Sequence, residues 1–221
     1  MKTIEEMKSF PAARKNYRPE KVEKLSEEQM KWFRDAKFGM FIHWGVYSML
    51  GKGEWVLMNE HLDVRKYEKL KDDFLAENFD AEQWARNAKA AGMKYMVLTT
   101  RHHDGFCLFD SKYSDFTAMK GAAHRDFVKE YVEACRKEGL KVGFYYSPLD
   151  WRFPGYFMPD LYWESAEALK KQCHDQLMEL MSNYGKIDLL WFDGEWLALG
   201  GMDWNGERGW YRKDDWQTSE Y

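Results

Sequence analysis

Three times along this chain a helix-patterned segment stops at a glycine, and a short apolar run follows at once: AAGMKYMVLTT around Gly92, KEGLKVGFYYS around Gly139 and NYGKIDLLWFD around Gly185. Runs that are apolar without alternation belong to strands covered on both faces. Strands of that kind alternating with helices make right-handed βαβ units and a parallel sheet. A further run, Phe38–Ile42, precedes the three and ends at His43-Trp44-Gly45. The long segments all follow strands and the short ones follow helices. That asymmetry suits a (β/α) barrel whose strand-to-helix loops carry chemistry while the opposite turns carry stability.

The helices between the strands are marked at both ends. Ser26 with Gln29 three residues on has capping-box spacing and predicts a helix to about Ala36, and Asp80 with Gln83 predicts another. Ala81, Trp84, Ala85, Ala88 and Ala91 supply its apolar stripe. Phe127, Val128, Tyr131, Val132 and Cys135 predict a third helical face, and Leu169, Cys173, Leu177 and Leu180 a fourth within about 162–184. Residues 46–79 show no periodicity and predict a long loop, of a length that points to function. A flavodoxin-like alternative needs a glycine-rich phosphate loop after the first strand, which His43-Trp44-Gly45-Val46 does not supply.

A chain of 221 residues without a Pro/Gly/Ser-rich linker predicts one domain, with residues 1–25 as a polar extension. The balance of 33 basic against 37 acidic residues, net −4, offers no basic block for nucleic acid or an anionic membrane. No apolar run has membrane-spanning length, and no signal peptide is evident at the amino terminus. Cys107, Cys135 and Cys173 fit neither a disulfide framework nor a zinc pattern and suit a reducing compartment, so a cytoplasmic protein is expected, or a secreted or periplasmic one if a leader has been trimmed. Eleven tryptophans are the compositional outlier. Trp84 and Trp32 read as core, whereas Trp44, Trp55, Trp151, Trp204, Trp210 and Trp216 sit in loop-like contexts and read as flat walls for a sugar ring.

The strand ends collect the chemistry: His43, Glu54 with Trp55, His102 with His103, Tyr146, Trp191 and Asp193. Asp193 closes the run Ile187–Phe192, where an acid reads equally as a nucleophile or base and as the first residue of an Asp-Gly turn. Histidines and acids can also hold zinc, but a mononuclear site presents tighter spacing, and a lone histidine is usually a satisfied core residue. Three histidines at two strand ends, flanked by glycine and tryptophan, fit best a polar, aromatic-walled pocket that gives hydrogen bonds to hydroxyl groups.

The segments WFRDAKFGMFIHWGVYS (32–48), GEW (53–55), KYMVLTTRHHDGF (94–106), YYS with DW (145–151) and LLWFDG (189–194) resemble, in order and spacing over roughly 28–196, the amino-terminal part of glycoside hydrolase family 29, the α-L-fucosidases. The resemblance implies a parallel (β/α) barrel of TIM type and retaining hydrolysis of terminal α-linked fucose on oligosaccharides or glycoconjugates. It implies Asp193 as catalytic nucleophile; His43, His102, His103 and Glu54 as ligands of the sugar hydroxyls; Trp55 as pocket wall; and Tyr146 and Trp191 beside the nucleophile. It calls for no metal and no organic cofactor.

Two features depart from that pattern. Retention needs a second carboxyl group about 5–5.5 Å from the nucleophile, and in the family it lies on a later loop, so the acid/base is expected to be missing from this chain; Glu195 and Glu207 are weak local alternatives. Four clear strands, or five if the 54–60 region pairs, fall short of the eight of a closed barrel. The expected product is an incomplete barrel, open to three readings: a fragment with the nucleophile half of the site, a half completed by a second copy or another chain, or a fucose-binding module without turnover.

Overall fold

A computed structural model describes residues 24–158 and 161–193. Helix α1 (Glu27–Ala36) starts as the sequence predicts: Gln29 N–H donates to Ser26 Oγ at 3.2 Å while Ser26 N–H donates to Gln29 Oε1 at 2.7 Å. Strand β1 (Gly39–Ile42) follows. The predicted loop 46–79 is folded: it holds 3₁₀ turns at Val46–Leu50 and Lys69–Asp72 and two short helices, α2 (Val56–Asn59) and α3 (Val64–Glu68). Its buried residues, among them Val46, Tyr47, Leu57, Tyr67 and Phe74, fall at irregular intervals because each short piece turns before a period can repeat. Val56–Asn59 is helical, so the 54–60 region adds no fifth strand.

The remaining elements are α4 (Ala81–Ala90), β2 (Tyr95–Arg101), α5 (Phe127–Lys137), β3 (Lys141–Tyr146), α6 (Pro154–Phe157), α7 (Trp163–Asn183) and β4 (Leu189–Phe192). Asp80 and Asp126 cap α4 and α5 by accepting from the N–H of Gln83 and Lys129 at 2.8 and 2.9 Å. Past the helix ends, Gly92, Gly139 and Gly185 all take positive φ, the conformation that ends a helix without a Cβ clash.

The strands form one parallel sheet in the order β1-β2-β3-β4. Successive side chains alternate between its faces. Met96, Leu98, Val142, Phe144 and Tyr146 face the helices and join Ala85, Ala88, Val128, Tyr131, Leu169, Cys173 and Leu180 in the core. The other face, which a closed barrel turns inward, carries Phe41, Val97, Tyr145 and Trp191. Val97 and Tyr145 in mid-sheet are buried, but Phe41 and Trp191 towards the two edges are 42% and 49% exposed. Among the described residues, β1 and β4 each pair on one side only. The arrangement is the α/β, half-barrel geometry that the helix–glycine–strand pattern predicts. The three cysteines are buried and free, and no described helix is long and apolar enough to cross a membrane.

Candidate active site

Among the described residues, most of those singled out in the sequence gather above the carboxyl ends of the strands. Asp193 follows β4 directly, and its Oδ2 accepts a hydrogen bond from Tyr145 Oη at 2.6 Å and lies 3.5 Å from His103 Nε2. Its side chain is 29% exposed while those of its partners are buried, so the carboxylate is held from below and open to a ligand above. His102 lies flat on Tyr145, ring centres 5.5 Å apart at 5°, and 4.2 Å from the ring of His103. His43 closes the group at 5.4 Å from His102 and 5.3 Å from Tyr145. Trp55 and Trp151 wall the far side of His103 at 5.3 and 5.2 Å. Trp191 meets Phe41 edge-on at 5.6 Å, and Glu54 is near enough for its charge to bear on His43.

Local structure fixes these positions. Thr99 Oγ1 donates to the carbonyl of Trp44 and accepts its N–H, both at 3.2 Å, tying the segment after β1 to β2. The His102–Gly105 turn rests on a buried charged layer: Arg101 Nη2 pairs with Asp150 Oδ2 at 2.5 Å, and Arg152 reaches the same carboxylate through both oxygens at 2.9 and 2.6 Å. Gly105 has φ +81°, and a Cβ there would fall 2.5 Å from Asp150 Oδ2, so this turn requires glycine. Asp104 is locked by Tyr67 Oη at 2.7 Å and by the N–H of Phe106. Trp151 N–H donates to the carbonyl of His103 at 2.9 Å, coupling the loops after β2 and β3.

Burial sets the protonation states. It drives His102 down to about 2, helped by the neighbouring His103 and His43, and His103 to about 4, where Asp193 partly offsets it. His43 is lowered for the same reason. At neutral pH the three imidazoles are therefore uncharged, each offering one donor and one acceptor. Burial and the adjacent Asp193 raise Tyr145, which stays a phenol and a donor.

Of the residues singled out in the sequence, the structure brings together His43, Glu54, Trp55, His102, His103, Trp191 and Asp193. Tyr146 is not among them. It points to the opposite face of β3, where its hydroxyl accepts from Arg101 Nη1 at 2.9 Å and donates to Gln176 Oε1 at 2.8 Å; Tyr145 stands beside Asp193 in its place. Strand parity gives the reason, since Tyr145 is in register with Trp191 and Asp193 lies two residues beyond Trp191. Trp44 is core, not pocket wall: its ring packs on Phe74, Phe79, Trp84 and Phe127 at 4.9–5.7 Å. Trp151 does line the pocket, while Trp204, Trp210, Trp216, Glu195 and Glu207 lie outside the described residues. Ligand atoms of His102, His103 and Asp193 fall within 4.8 Å of one another. The Asp193 oxygen of that group, 3.5 Å from His103 Nε2, already accepts a hydrogen bond from Tyr145.

Residues 5–221 match the family model described as Alpha-L-fucosidase. The chain belongs to the α-L-fucosidase family. Human plasma alpha-L-fucosidase is 36% identical over 213 residues, covering 82% of this chain and 44% of that protein. Alpha-L-fucosidase isoenzyme 1 from Paenibacillus thiaminolyticus is 47% identical with a TM-score of 0.69, covering 76% of this chain and 43% of that one. A GH29 fucosidase from Bacteroides thetaiotaomicron, trapped as a covalent intermediate with 2-fluoro-fucosyl fluoride in a glutamate-to-glutamine mutant, is 34% identical with a TM-score of 0.74, covering 82% and 44%. The chain thus spans less than half the length of these fucosidases.

Proposed function

We propose that this chain carries the nucleophile half of a retaining α-L-fucosidase site, with Asp193 as the nucleophile. The observation that carries the reading is the placement of Asp193: at a strand's carboxyl end, partly open, hydrogen-bonded by Tyr145 and bordered by three neutral imidazoles. A carboxylate suits attack on an oxocarbenium-like anomeric carbon, and neutral donors around it can strengthen their bonds to sugar hydroxyls as ring charge develops. His43, His102, His103 and Glu54 are assigned to those hydroxyls, and Trp55, Trp151 and Trp191 to the apolar C–H faces of the fucosyl ring.

The reaction would run in two displacements. An Asp193 oxygen bonds to the anomeric carbon as the glycosidic oxygen leaves with a proton from a general acid. Water, deprotonated by the same group, then releases fucose with its configuration retained. Neither buried carboxylate beneath the site can play the acid, because Asp104 is locked by Tyr67 and Phe106 and Asp150 is clamped between two arginines. By the family pattern, the acid/base lies beyond the described residues. The substrate class is terminal α-linked fucose on an oligosaccharide or glycoconjugate.

Fucosides whose leaving group needs no protonation separate the two halves of the site. Dinitrophenyl α-L-fucoside should be consumed by the chain and not by Asp193→Ala, with α-L-fucose as first product; consumption by Asp193→Ala at the wild-type rate would place the nucleophile elsewhere. The exposed Phe41 and Trp191 and, among the described residues, the one-sided pairing of β4 favour a second reading, in which another chain completes the barrel. Activity that appears only in a dimer or larger species on size-exclusion chromatography would select it, and fucose binding without any turnover would leave a binding module.

A further inference from the structure

His103 touches the nucleophile on one side and a buried hydroxyl on the other. Its Nδ1 lies 2.6 Å from Ser147 Oγ, and both residues are fully buried. Ser147 follows β3, and its own N–H donates to the carbonyl of Arg101 at 3.0 Å, so its place is set by the β2–β3 pairing. Leu149 N–H donates to Ser147 Oγ at 3.0 Å, and the carbonyl of Leu149 lies 3.2 Å from the same oxygen.

Ser147 has one hydroxyl proton and two acceptors within reach, Leu149 O and His103 Nδ1. If the proton goes to Leu149 O, His103 must donate from Nδ1. Its Nε2 lone pair then faces Asp193 Oδ2 at 3.5 Å, an unfavourable juxtaposition of lone pair and carboxylate in a buried setting. If the proton goes to His103 Nδ1, the Nε2 carries the hydrogen on the side of Asp193 Oδ2, 3.5 Å away, and Ser147 Oγ still accepts from Leu149 N–H while the Leu149 carbonyl loses the Ser147 donor. The first arrangement makes one hydrogen bond more, the one to Leu149 O, but it sets a lone pair against a carboxylate, whereas the second turns an N–H towards that carboxylate, and the electrostatic difference in a buried setting favours the second.

Resting on the reading of Asp193 as nucleophile, we infer that Ser147 is a positioning residue: its hydroxyl donates to His103 Nδ1 and fixes the imidazole as the Nε2–H tautomer. His103 then turns an N–H rather than a lone pair towards the carboxylate that Tyr145 holds. A carboxylate so held is a better leaving group from its glycosyl ester, which favours the second displacement. In the sequence nothing but position, directly after the YY pair, sets Ser147 apart.

The test reads the proton's location directly. Long-range ¹H–¹⁵N correlation on the whole chain with ¹⁵N-imidazole histidine, assigned with His103→Gln, should show His103 protonated on Nε2 at neutral pH. Ser147→Ala should move the proton wholly or partly to Nδ1, and Ser147→Thr, which keeps a hydroxyl, should restore Nε2–H. A wild-type spectrum with His103 protonated on Nδ1, or a tautomer unchanged in a folded Ser147→Ala, would overturn the inference; the wild-type spectrum alone decides if Ser147→Ala does not fold. In parallel, release of the 2-fluoro-fucosyl group from labelled Asp193 should slow about ten- to hundredfold in Ser147→Ala, the loss expected for one hydrogen bond to a charged group, and recover in Ser147→Thr. Because the tautomer is read without sugar, Nε2–H in a wild type that is never labelled leaves the hydrogen-bond assignment standing and removes its catalytic meaning. Labelling with Nδ1–H removes the inference alone.

Discussion

Two adjacent tyrosines on β3 serve opposite faces of the sheet, and their exchange in a sequence reading shows what decides a site at the scale of one residue. Tyr145 donates to Asp193, whereas Tyr146 braces Arg101 and Gln176 among the helices. Tyr145→Phe should therefore slow release of the fucosyl group from labelled Asp193 by about ten- to hundredfold, the range for losing a hydrogen bond to a charged group, with little change in stability. Tyr146→Phe should leave that release rate near wild type and cost about 1–3 kcal/mol in denaturant unfolding, because it strands a buried guanidinium N–H and an amide oxygen. The reverse pattern would return Tyr146 to the site. His43, His102, His103 and Asp193 were legible because each ends an apolar run next to a glycine or another polar residue. Tyr145 was not, because choosing between neighbours on a strand requires the register with β4, which no local pattern carries.

At the scale of elements, the loops after β2 and β3 are one unit, joined by Asp150 between Arg101 and Arg152 and by the bond from Trp151 N–H to His103 O. Asp150→Ala leaves two buried arginines without their shared carboxylate. It should destabilise the chain by about 3–5 kcal/mol and disturb His103 along with it; a loss below about 1 kcal/mol would show that the charged layer does not hold the loops. The helices and strands themselves were readable from caps, glycine stops and apolar stripes, since these signals act over a few residues. The 46–79 segment was not, because its short helices bury residues such as Tyr67 and Phe74 against elements far along the chain, so no period appears within it. Trp44 misled for a related reason: its loop-like surroundings conceal an aromatic cluster assembled from 74–84 and Phe127.

Over the whole molecule, the helices cover one face of the sheet and leave Phe41 and Trp191 exposed on the other, while buried titratable groups concentrate near the strand ends. Those groups give stability a pH dependence. His102 and His103 fall from 6.5 to about 2 and about 4 on burial, so protonation favours the unfolded chain, and their contribution is lost as pH drops below 6.5. Asp104, raised from 3.8 to about 6, acts in the opposite sense between those values, one proton against two. The thermal midpoint should accordingly rise from pH 4 to pH 6.5; a flat or falling profile would mean that the histidines are not buried as described. What the whole fold positions is one carboxylate, and its chemistry can be probed without the second carboxyl group because fluoride departs unaided. Incubation with 2-fluoro-fucosyl fluoride, followed by mass spectrometry of the digested chain, should find a single added 2-fluoro-fucosyl group on the peptide containing Asp193 and none in Asp193→Ala. Attachment at another residue, or label persisting in Asp193→Ala, would contradict the assignment.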